Sequence, residues 1–103
     1  MTILKNDPPI KILIVDDDQN VRWGLKMFLE LDPELFIVGI ATNGQEAIEK
    51  VNLLKPDIVL MDLLMPILDG ISATQLIKIR FPDVEIIALT SVLEDDRIYL
   101  AIH

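Results

Sequence analysis

Residues Ile58 to Gly70 read IVLMDLLMPILDG, and this stretch limits what the chain can fold into. Four apolar residues run without a break into Asp62. So short and uniform a run suits a strand buried on both faces, as in a parallel sheet, with Asp62 at its C-terminal end. Open α/β sheets bind ligands at that edge. Pro66 and then Asp69-Gly70 make the segment after Asp62 a shaped loop. Asp69 is the better-placed cap for a helix starting near Ile71, which leaves Asp62 free for other work.

The same unit recurs along the chain. Lys11 to Val15 (KILIV) is a second buried-strand pattern and runs into Asp16-Asp17-Asp18. Val21, Leu25, Phe28 and Leu29 then recur at helical spacing until Asp32-Pro33. Phe36 to Ala41 reads as a strand, and Asn43, with Glu46 three residues on, opens a helix with the stripe Ala47, Val51 and Leu54. Lys55-Pro56 stops it. After the Ile58 to Met61 strand, a helix from about Ile71 to Arg80 buries Ala73, Thr74 and Ile77. Glu85 to Leu89 is a fourth strand, delivering Thr90 and Ser91, and a last helix is expected to run to His103. Strands alternating with helices, with no hairpin signal, predict an α/β fold with a parallel sheet. One domain is expected from Lys11 to His103, preceded by a flexible arm over residues 1–10.

Composition narrows the partners. A net charge of −8 makes nucleic acid a poor direct partner and favours a cation or a basic protein surface. The chain has no cysteine, which excludes disulfides and thiolate metal sites and accords with a cytoplasmic location. No apolar run approaches the ~20 residues that span a bilayer, so no membrane contact is expected.

In a parallel sheet all strand C-termini share one edge, so Asp16, Asp17, Asp62 and Thr90 can converge. Two carboxylates ~4 Å apart repel by about 4 kcal/mol at an effective dielectric near 20. Folding gathers three of them only where a cation or protons offset that cost. Hard oxygen donors with open positions suit magnesium. Asp18 reads as a helix cap. Met61 and Met65 read as packing, and Trp23, beside Met27, as partly exposed packing.

The pattern resembles the receiver domain of bacterial two-component response regulators. The resemblance rests on VDDD at Val15 to Asp18, MDLLMPILDG at Met61 to Gly70 and ALTS at Ala88 to Ser91, in their joint spacing, and runs from Lys11 to the end. It implies a flavodoxin-like, doubly wound parallel sheet of strand order 2-1-3-4-5. It also implies that Asp62 accepts a phosphoryl group from a histidine kinase or phosphotransfer protein. Mg2+ would be held by Asp17, Asp62 and the backbone carbonyl of Leu64, with Asp16 acting through water. Thr90 would be the switch hydroxyl. Such a module is a phosphorelay component and not an enzyme. The local wording resembles regulators with a C-terminal helix-turn-helix, which implies transcription regulation by a longer parent.

The sequence departs from that family by ending before a fifth strand, a fifth helix and the lysine that pairs with the phosphoryl group. The expectation is therefore a truncated receiver of strand order 2-1-3-4. Its fourth strand would be a bare edge, favouring a homodimer by edge pairing or by exchange of the Leu93 to His103 segment. Two other readings compete. One is a phosphorylation-incompetent remnant acting as an oligomerisation or interaction element. The other is an aspartate-nucleophile phosphohydrolase, whose DxD spacing Asp16 and Asp18 match but whose chain is much longer.

Overall fold

The computed structural model describes residues 7–65 and 67–89. Pro66, Thr90 and the helix expected up to His103 lie outside the described residues. Among the described residues, four parallel strands form one sheet in the order β2-β1-β3-β4. They are β1 (Ile10–Val15), β2 (Leu35–Ala41), β3 (Ile58–Asp62) and β4 (Glu85–Leu89). Between them run α1 (Gln19–Leu29), α2 (Gly44–Leu54) and α3 (Gly70–Arg80). The expected α/β architecture and the order 2-1-3-4 are both present.

That order dictates which face each helix covers. The chain steps outward from β1 to β2, then reverses to β3 and β4. With crossovers of a single hand, a reversal of direction moves the helices to the opposite face. Accordingly, α2 and α3 pack on one side and α1 on the other. Alternation along the strands supplies both faces. Leu13, Val15, Val59 and Met61 join Ala47 and Val51 of α2 and Ala73 and Ile77 of α3 in one core. Ile12, Ile14 and Leu60 point the other way, toward Leu25 and Leu29 of α1.

The helix ends follow from their sequences. The Asp18 side chain accepts from the amides of Asn20 and Val21, capping α1 as expected. Asn43 caps α2 through the Glu46 amide at 2.8 Å. Glu46 reaches back to the amide of Thr42, one residue before the cap, at 2.9 Å. Asp69 caps α3 through the Ser72 amide at 2.7 Å. Lys55, ahead of Pro56, ends α2 in the left-handed conformation with φ 51°.

Three details depart from the sequence expectations. A bulge interrupts the β1–β2 ladder, with Ile12 opposite Ile37 but Leu13 opposite Gly39, so Val38 is the extra residue. No residue of α1 is fully buried, and Phe28, part of its apolar stripe, is 70% exposed. The helix is apolar over more of its circumference than one sheet contact can cover. Thr74 is only partly buried, and its hydroxyl oxygen, itself shielded from water, has no partner among the described residues.

Candidate functional site

The reversal of strand order lies at β1 and β3, and there the acidic residues meet. Val15 pairs with Met61 across these neighbours, so the next residues, Asp16 and Asp62, leave the sheet side by side. Alternation then fixes their direction. Val15 and Met61 point into the α2–α3 core, so the carboxylates that follow emerge on the α1 side. Strand C-termini at such a switch point are where open α/β sheets bind ligands.

Asp16, Asp17 and Asp62 each place one carboxylate oxygen within 4.8 Å of the others. They line a cleft of about 390 Å³ together with Asp18, Val21, Leu25, Leu64 and Leu89. Burial, and then the charges of Asp16 and Asp17, push the Asp62 carboxyl up to about 6, while the Leu64 amide pulls it down. Asp16 is also raised, first by burial, with the Asp18 amide opposing. Among the described residues the Arg22 guanidinium offsets part of the charge on Asp16, but both carboxyls remain raised. Oxygen-only donors with room between them fit a hard divalent cation such as magnesium.

Backbone contacts hold the site from below. The Leu64 amide donates to Asp62 Oδ1 at 3.1 Å, fixing the carboxylate's rotation. The Asp16 amide closes the ladder to the Ala41 carbonyl at 3.1 Å, and the Asp18 amide donates to Asp16 Oδ1 at 2.9 Å. The loop after Asp62 is pinned at two glycines. The Gly70 amide donates to the Leu63 carbonyl, and a Cβ on Gly70 would lie 2.0 Å from the Asp62 carbonyl oxygen. The Gly44 amide holds the Leu68 carbonyl, and a Cβ there would lie 2.3 Å from that oxygen. No side chain larger than hydrogen fits at either place without moving backbone. In the same loop Ile67 adopts φ 71°, a region β-branched residues seldom enter.

Of the site residues expected from sequence, Asp16, Asp17 and Asp62 are brought together, and Leu64 lies beside them in the cleft wall. Thr90 lies outside the described residues. One neighbour was not singled out from sequence. Arg22, one turn into α1, donates its Nη1 to the Asp16 carbonyl at 2.8 Å. An arginine on an amphipathic helix carries no local signal that sets it apart from any solvated basic residue.

A family profile for the response regulator receiver domain matches residues 12–102. This chain belongs to the response regulator receiver family. The response regulator protein VraR of Staphylococcus saprophyticus is 44% identical over 94 residues, covering 91% of this chain and 45% of that protein. This receiver therefore spans about 45% of the length of that curated relative. Among solved structures, the response regulator domain of Thermotoga maritima CheB superposes with a TM-score of 0.84 at 38% identity, covering 91% of this chain and 70% of that one. The isolated receiver of RcsB from Salmonella enterica serovar Typhimurium, solved in the presence of phosphomimetic BeF3−, gives 0.82 at 29% identity, with 91% and 70% covered. Among the described residues, no helix is long and apolar enough to cross a membrane.

Proposed function

We propose that this receiver is a phosphoacceptor module of a phosphorelay, taking a phosphoryl group on Asp62 from a histidine kinase or phosphotransfer protein in the cytoplasm. The observation that carries the reading is the cluster of Asp16, Asp17 and Asp62 at the switch point, on a cleft open to a partner. Asp17 and Asp62, with the Leu64 backbone carbonyl, would hold Mg2+ directly, and Asp16 would hold it through water. The ion, when bound, supplies neutralising charge for phosphoryl transfer.

The chain's own residues do the rest. An Asp62 carboxylate oxygen attacks phosphorus, a P–O bond of aspartyl phosphate forms, and the bond to the donor breaks, the donor keeping the electron pair. The Leu64 amide holds the attacking carboxylate in one rotamer. Attack needs the ionised form, and a group at about 6 is mostly ionised at neutral pH. Thr90 would close on the phosphoryl group as the switch hydroxyl. Nothing in this scheme turns over a diffusible substrate, so the module is a signalling element and not an enzyme. Within a longer parent it would regulate transcription.

A homodimer through the β4 edge belongs to the same proposal. Within the described sheet β4 is an edge strand, and its Ile87 is 49% exposed. Light scattering at micromolar concentration, with Glu85→Lys as the edge-breaking variant, tests that part.

The decisive experiment is incubation with acetyl phosphate and magnesium, read by intact mass and peptide mapping. One phosphoryl group on Asp62, lost in Asp62→Asn and absent without magnesium, is the expected result. A protein that binds magnesium but never takes up the group would instead be an interaction element.

A further inference from the structure

The sequence of contacts around Asp17 leaves one residue holding the loop from the helix side. Asp16 is fixed at its amide by the Ala41 carbonyl, and its Oδ1 accepts from the Asp18 amide. Asp18 in turn caps α1, and its carbonyl accepts from the Arg22 amide at 3.0 Å. The Asp16 carbonyl is the group that faces neither the sheet nor the cap, and it accepts from Arg22 Nη1 at 2.8 Å. The plane of the Asp16–Asp17 peptide is thereby set by Arg22, and that plane determines where Asp17 begins.

Arg22 is suited to a fixed role. Its residue is partly buried, and its Nε is shielded from water with no acceptor among the described residues. A desolvated guanidinium holds its remaining bond more firmly than a surface one, and its planar fork loses little freedom in doing so. Asp17 itself is exposed, and among the described residues its side-chain partner is the Asp62 carboxyl, with no backbone amide or basic group donating to it. Its aim therefore depends on that contact and on the backbone on either side of it.

We propose that Arg22 is a positioning residue of the acidic cluster: by holding the Asp16 carbonyl it fixes the Asp16–Asp17 peptide and so directs the Asp17 carboxylate toward the cation site. This rests on the magnesium reading given above. The guanidinium touches the backbone and has no part in phosphoryl transfer. Its charge alone would act in the opposite sense, since a positive group near a cation site weakens cation binding. Removing Arg22 therefore separates a positioning role from a purely electrostatic one by the sign of the change.

The test is magnesium titration by calorimetry of the whole chain and of Arg22→Met and Arg22→Lys, with amide exchange of the metal-free proteins. Arg22→Met should weaken magnesium binding by about tenfold or more, as loss of an outer contact to metal ligands commonly does. Arg22→Lys, which keeps a donor, should regain part of that loss. The Asp18 amide should exchange roughly tenfold faster in Arg22→Met, its acceptor having been loosened. Unchanged or tighter magnesium binding in Arg22→Met would overturn the proposal. So would Arg22→Lys falling as far as Arg22→Met, because lost packing would then explain both. Cooperative thermal unfolding of both variants checks that they fold. If the parent chain binds no magnesium, the functional reading fails on its own. The exchange of Asp18 then decides alone whether Arg22 holds the loop, and unaltered exchange would reject it.

Discussion

On the side of the sheet covered by α2 and α3, thirteen buried residues form one cluster among the described residues. On the α1 side, only Ile12, Ile14 and Leu60 form a buried cluster among the described residues, with Leu25 and Leu29 of α1 packed partly against them. The same strands serve both faces, so the difference lies in what covers them. Two helices and the loop after β3 seal the first face. Among the described residues, a single helix lies over the second, with Trp23, Met27 and Phe28 of α1 exposed. Asp16 and Asp62 leave the sheet toward this second face while their backbones are held by the first. Among the described residues, the site thus has a closely packed floor and a more open wall.

The largest test of that contrast is Gly70→Ala. The added Cβ would lie 2.0 Å from the Asp62 carbonyl oxygen and 2.5 Å from Leu63 Cα, both backbone atoms on the tight side. Relief requires the loop to move, at a cost of about 3 kcal/mol or more. A urea midpoint reads the loss, and magnesium affinity should fall with it because Asp62 moves. A near-neutral variant would show that the floor is not closely packed.

Paired truncations compare the faces directly. Ile77 is fully buried against α2 and β3, so Ile77→Ala should cost roughly 3 kcal/mol. Leu29, half-buried on the α1 side, should cost about 1.5 kcal/mol as Leu29→Ala. Equal losses in denaturant unfolding would remove the distinction between the faces.

The open wall has an electrostatic counterpart. Asp62, raised to about 6, binds its proton more tightly folded than unfolded. That contribution to stability is fully present below the ordinary value of 3.8 and is lost as pH rises through about 6. The metal-free protein should therefore gain from Asp62→Asn at pH 7.5, by on the order of 1.5 kcal/mol once solvent screening is allowed for. Asn keeps the Oδ1 acceptor for the Leu64 amide. The gain should disappear near pH 4, and saturating magnesium should reverse it at neutral pH. A gain of constant size across that range would mean that burial and the neighbouring carboxylates do not raise the Asp62 carboxyl.

What could be read from sequence divides along the same line. The strands, their order and the convergence of Asp16, Asp17 and Asp62 were legible because buried runs ending in carboxylates are local patterns and a parallel sheet aligns their ends. Asp69-Gly70 was legible as a turn, but the close approach of Gly70 to the Asp62 carbonyl was not, because it joins positions eight residues apart in the chain. The bulge at Val38 left no mark, since every residue around it is apolar or glycine. Phe28 belongs to the α1 stripe by spacing yet lies exposed, because periodicity records which residues share an arc, not how much of that arc is covered. The contact of Arg22 is illegible for a related reason: it is made to a backbone carbonyl that the sequence does not display.

The smallest effect bears on what covers α1. Gly24 lies mid-helix, and a Cβ there would meet nothing within 4 Å. Glycine in a helix interior costs about 1 kcal/mol relative to alanine, through the backbone entropy lost on folding. Gly24→Ala should therefore raise stability by about 1 kcal/mol while leaving magnesium affinity unchanged, because the residue touches no part of the acidic cluster. Around it Trp23, Met27 and Phe28 are 65%, 52% and 70% exposed, a surface that another helix could cover. Were a second copy to pack there, an added methyl at the point of closest approach would push the helices apart. The gain would then shrink or change sign as protein concentration rises. Unfolding Gly24→Ala at low and high micromolar concentration separates the cases. A constant gain keeps α1 an open wall and leaves association to the β4 edge, and a concentration-dependent loss moves the interface to α1.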